Sequence, residues 1–187
     1  DIVAESYNRI NSMFNQLGVD GEWQEGGVYW NYGIHTTDFC ADALKRLTHA
    51  KYNLFENERL KNNPVTFPIY ISLPGVNSAN FEDSRSEITG NSFLINKLAT
   101  ETNNSASAWY RKEFFAEGTD IFDILWPRPT VTPAEPKTAS IHFRTTDWWV
   151  MRSDFKDPEK VAIVGKAGKN DDPHHGHLDI GHFIINW

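Results

Sequence analysis

The sequence predicts an α+β fold in which an N-terminal helical part is followed by antiparallel β-strands. Three observations lead there. Up to about residue 115 of the 187, apolar side chains recur at steps of three and four, the spacing of one helix face. Residues 126–136 then set four prolines in eleven positions, which no helix runs through. Beyond them, short β-branched and aromatic runs are separated by Asp, Pro, Gly and Lys turns. Helices followed by strands, without βαβ alternation, segregate the two kinds of structure. The boundaries fall at 1–126 for the helical part, 127–138 for a proline-rich linker and 139–187 for the strands.

Each element has its own signal. Val3, Tyr7, Ile10, Phe14 and Leu17 line one face of a helix over 1–17, with Gly18 as its stop. Thr37 and Asp38 start a second helix that reaches about residue 50 and turns Cys40, Ala43, Leu44 and Leu47 toward the core. Shorter helices are expected at about 54–61, 92–100 and 106–115, with turn-rich breaks between them. Strands are expected at 140–143, 148–152, 161–164 and 183–187. A run of bulky residues closing the chain leaves an apolar edge, and about four short strands make a poor independent domain. The chain therefore reads as a piece of something longer.

Composition bounds the chemistry. With 40% apolar and 13% aromatic residues, the chain can bury a core and is expected to fold. The net charge is −7 and no dense Lys/Arg run occurs, so neither nucleic acid nor an anionic membrane is an expected partner. No apolar stretch approaches the roughly 20 residues of a membrane-spanning helix, and residues 1–6 lack the features of a secretory signal. The single cysteine, Cys40, excludes an internal disulfide and leaves the compartment open.

Two constellations could carry chemistry. His174, His175, His177 and His182 crowd into nine positions. On a strand, His175 and His177 would share one face with Asp179. Imidazoles so placed suit zinc, proton transfer or both, while the plain alternative is a solvated turn. Residues 20–33 pack Trp23, Tyr29, Trp30 and Tyr32 with Glu22, Glu25 and four glycines between two helices. Such a loop can form a carbohydrate cleft, with aromatic faces on sugar faces, or can simply plug its rings into the core. Arg152 could meet a substrate carboxylate or form a surface ion pair. Residues 80–85, Asn-Phe-Glu-Asp-Ser-Arg, read as a solvated turn.

Taken together, Asp20-Gly-x-Trp-x-Glu-Gly-x-x-Tyr-Trp-x-Tyr-Gly33, Trp149-Val-Met-Arg-Ser153, Lys166-Ala-Gly168 and His175-Gly-His-Leu-Asp-x-Gly-x-Phe183 resemble the heparinase II/III-like polysaccharide lyases. The resemblance covers most of the chain, and the closing histidine motif is its most specific part. It implies a piece of an incomplete α/α toroid joined to the start of an antiparallel β-sandwich. It departs from the usual pattern at His182, where a small residue is common.

The activity implied is β-elimination of a uronic-acid glycoside: the carboxylate is neutralised, a base removes the C5 proton, and an acid protonates the departing oxygen. By resemblance a tyrosine of the glycine-aromatic stretch, Tyr29 or Tyr32, shares these transfers with His175. A tyrosine serves as a base only when its pKa falls well below about 10. Substrate contacts are expected from Trp23, Glu25, Trp30 and Arg152. His177 corresponds to a ligand of a structural zinc whose other ligands lie further along the sandwich, and the group that neutralises the carboxylate lies upstream. The bare chain is thus expected to hold about half a site and to be inactive alone. The few basic residues favour a weakly charged uronate polymer or oligosaccharide, alginate-like rather than heavily sulfated, met in the periplasm or outside the cell. Two other readings are a catalytically silent carbohydrate-binding protein of the same fold and a metal-dependent hydrolase.

Overall fold

The chain opens with helix α1, Ile2–Phe14, whose first turn is capped by Asp1 accepting from the Val3 amide at 3.0 Å. In the computed structural model, which describes residues 1–75, 77–116, 118, 120–126, 128–170 and 175–187, α1 lays Phe14 into the core, with Val3, Tyr7 and Ile10 packed beside it. The second helix, α2, spans Gly26–Leu47 and so begins eleven residues before the expected start at Thr37. The glycines that suggested a loop are there for close approach. A Cβ on Gly27 would lie 2.5 Å from Thr89 Oγ1 and 2.7 Å from Ile71 Cδ1, and Gly26 sits at φ +88° against the carbonyl of Phe81.

The helix expected over 54–61 is divided. A 3-10 turn, Leu54–Glu56, is followed by α3, Glu58–Asn62, because Asn57 breaks off to cap α3 through the amides of Arg59 and Leu60. Its Nδ2 meanwhile donates to Asn11 and Asn15 of the α1 end, at 2.9 and 2.8 Å. Next come α4, Thr66–Ile71, and an antiparallel pair of two-residue strands, β1 (Ser72–Leu73) and β2 (Asn77–Ser78). Helices α5 (Ser92–Thr102) and α6 (Ser105–Phe114) are capped by Asn91 and Asn104, and a short α7, Ile121–Leu125, by Asp120. The sequence pattern did not announce α4, α7 or the β1–β2 pair.

Strands β3 (Ile141–Phe143), β4 (Trp148–Arg152), β5 (Ala162–Lys166) and β6 (Phe183–Asn186) form one antiparallel sheet in chain order. Helices plus antiparallel sheets make the fold α+β, as the sequence predicted. Alternation along β4 turns Trp148, Val150 and Arg152 inward and leaves Met151 exposed, in register with Ile163 and Ile185 on the outer face. The inner face meets the helices directly. Phe143 lies 5.2 Å from Phe67 edge to face, and Trp148 lies 5.2 Å from Phe81, so one apolar cluster runs from α1 to β5.

Candidate functional site

The close seating of α2 on residues 81–90 shapes a cleft. Its volume is about 680 Å³, and its lining includes Tyr29 and Asn31 of α2 with Glu82, Asp83, Arg85 and Thr89 of the facing loop. The histidine segment reaches the same place from the far end of the chain. His175 has φ +51° and lies in the loop before β6, and its ring stacks on Tyr29 with centroids 4.0 Å apart and planes at 24°.

Asp83 binds both histidines. Its Oδ2 lies 2.6 Å from His175 Nδ1 and its Oδ1 2.9 Å from His177 Nε2. The hydrogen bonds from His177 and then His175 hold the Asp83 carboxyl below the usual carboxylate range. The neighbouring Glu82 is 3% exposed, has φ +55°, and accepts the His177 amide at 2.6 Å. Lys166 of β5 pairs with Glu82 and with Asp179, and donates to the His177 carbonyl at 3.2 Å. Burial works to lower the Lys166 pKa, but its bonds to the two carboxylates outweigh it and the net direction is up. The histidine loop is therefore clamped by an ion triad whose Lys166 and Glu82 are buried, and by the carboxylate of Asp83 one residue along.

The expected site residues divide sharply. Tyr29, His175 and His177 come together. Tyr32 is 68% exposed and is neither in the cleft lining nor a partner of His175. Trp23 and Glu25 are half-buried and bonded to each other, Nε1 to Oε2 at 2.9 Å. Trp30 is 1% exposed, because α2 turns its apolar stripe, with Ile34, into the core; it cannot touch a substrate. Arg152 is likewise inward, donating to the carbonyls of Ser72 and Tyr70 over the ring of Phe155, and burial pushes its pKa down to about 10. It is neither a substrate contact nor a surface pair. His182 lies 3.6 Å from Asp179, while His174 lies outside the described residues.

Residues 80–85, expected to be a solvated turn, instead supply Glu82 and Asp83 as partners of the histidine loop. Nothing local marks them, since the contacts join positions 92 to 95 residues apart. His177 Nε2 is engaged by Asp83, and among the described residues no group of three or more His, Cys, Asp or Glu side chains is arranged to hold an ion. No helix among the described residues is long and apolar enough to cross a membrane. No known family model matches the chain, and no curated protein matches it.

Proposed function

We propose that residues 1–187 supply a tyrosine–histidine proton-transfer pair for β-elimination of a uronic-acid-containing polysaccharide or oligosaccharide. The observation that carries this reading is the stacking of Tyr29 on His175 at 4.0 Å beside an open polar cleft. A phenol and an imidazole so close can serve the two halves of an elimination: one takes the C5 proton, and the other protonates the glycosidic oxygen as the C4–O bond breaks. A polar cleft of about 680 Å³ has room for more than one sugar ring. No step of this chemistry is routed through a metal. A polymer of this kind is met in the periplasm or outside the cell, and the protein is proposed to act there.

The test is direct. A protein carrying residues 1–187 is assayed against alginate and unsulfated and sulfated glycosaminoglycans, reading the ultraviolet absorbance of the new C4=C5 bond. Tyr29→Phe is expected to lower kcat by about 10²- to 10⁴-fold, the usual worth of a placed proton-transfer group, and Tyr32→Phe to change it only a few-fold. Binding of a uronate polymer without any unsaturated product would instead identify a carbohydrate-binding protein, and loss of activity on chelation at constant thermal stability would identify a metal-dependent hydrolase.

A further inference from the structure

We infer that Asp83 is a positioning residue for the Tyr29–His175 pair: it fixes His175 in the Nδ1–H tautomer, which makes the imidazole the base and Tyr29 the acid. An ionised carboxylate only accepts hydrogen bonds, so the 2.6 Å contact from Asp83 Oδ2 requires the proton on His175 Nδ1. When the ring is uncharged its lone pair therefore lies on Nε2, and among the described residues Nε2 has no hydrogen-bond partner. The Tyr29 hydroxyl, on the ring stacked against it, is the group placed to donate. The reverse assignment needs a phenolate on Tyr29, and among the described residues no cationic side chain bonds its hydroxyl.

Asp83 is suited to this work by how it is held. Its carboxyl is about 42% exposed and could swing freely, but the second oxygen is fixed on His177 Nε2 at 2.9 Å. The residue before it, Glu82, is buried and locked by Lys166 and the His177 amide. The carboxylate thus reaches two rings from a turn that cannot shift without breaking a buried ion pair. The proposed step balances: Nε2 takes the C5 proton, the C5–H electrons become the C4=C5 π bond, and the C4–O bond breaks onto oxygen, which takes the Tyr29 proton. Return of one proton from imidazolium to phenolate across the stacked pair resets the site.

The inference rests on the lyase reading for its catalytic roles, but its core is measurable without substrate. Ring ¹⁵N shifts of the histidine-labelled protein are expected to show His175 protonated on Nδ1, and Asp83→Ala to move that proton to Nε2. The same variant is expected to lower kcat by about 10²- to 10⁴-fold with KM changed only a few-fold, as for the orienting carboxylate of a hydrolytic triad. Asp83→Glu is expected to restore the tautomer and most of kcat. A wild-type His175 protonated on Nε2 overturns the inference with no variant needed, as does an Asp83→Ala protein whose tautomer is unchanged. A tautomer that moves in a protein eliminating no uronate removes the lyase reading and leaves the positioning role intact.

Discussion

Asp38 brings an acid into the core. It is 2% exposed on the inward side of α2, and among the described residues its Oδ2 has no hydrogen-bond partner. Burial drives its carboxyl well above the usual range; Lys97 pulls it back, and the charges of Glu101 and Asp42 push it up again. The folded chain therefore keeps a proton that the unfolded chain gives up in the ordinary carboxylate range, so stability falls as pH rises from that range toward the folded value. Asp38→Asn has no such proton to lose. It is expected to raise the Tm at neutral pH, by about 2–4 °C per kcal/mol in a chain of this size, and to match wild type near about pH 3. A difference that is the same at both pH values would show that titration is not its source. Gly27 makes the opposite kind of case. Alanine is the better helix former by roughly 1 kcal/mol, yet its methyl would overlap Thr89 and Ile71. Gly27→Ala is expected to lower stability by about 1–3 kcal/mol in urea titrations, the cost of overpacking.

At the scale of elements, α2 and α5 are joined by one buried cation. Lys97 of α5 is 4% exposed, bonds Asp42 of α2 at 2.5 Å and Glu101 of its own helix at 2.8 Å, and lies over the rings of Phe55 and Trp126. Removing it leaves Asp42 and Glu101 only their outer partners, Arg46 and Lys45. Lys97→Met is expected to cost about 3–5 kcal/mol by denaturant unfolding, and the loss should shrink when Asp42→Asn is added, since the pair is coupled. Neither the helix start nor this clamp was legible in the sequence, for related reasons. Gly26 and Gly27 argue against a helix by propensity, and only the tertiary contact with residues 71–89 overrides that. Lys97 and Asp42 are 55 residues apart, beyond any local pattern. What could be read was local: the 3–4 spacing of α1, the helical stretches that form α5 and α6, and the aromatic and β-branched run of β4. The candidate site followed the same rule. Tyr29 and His175 could be singled out by residue type and motif, while Asp83 and Glu82 act through contacts that only folding creates.

For the whole molecule, the question is whether helices and sheet are held separately or by one core. The inner face of the sheet is not covered by strands but by the helical part: Phe143 and Trp148 meet Phe67 and Phe81, and Tyr70 meets Phe155 at 5.5 Å edge to face. Polar ties cross the same junction, with Arg144 paired to Asp20 at 2.6 Å and Arg152 bonded to the carbonyl of Ser72 at 2.7 Å. The Tyr29–His175 stack joins the two parts again at the cleft. Elements so interleaved cannot open one at a time without exposing buried rings, and they should unfold as one unit. Phe143→Ala tests this, because Phe143 is fully buried on β3, far in sequence from α5. Truncation is expected to cost about 3–5 kcal/mol. Under cooperative unfolding, hydrogen exchange at the α5 amides should lose as much protection as at the β5 amides. Loss confined to β5 would mean that the sheet opens by itself, and the alignment of His175 with Tyr29 would then be no more stable than the sheet alone.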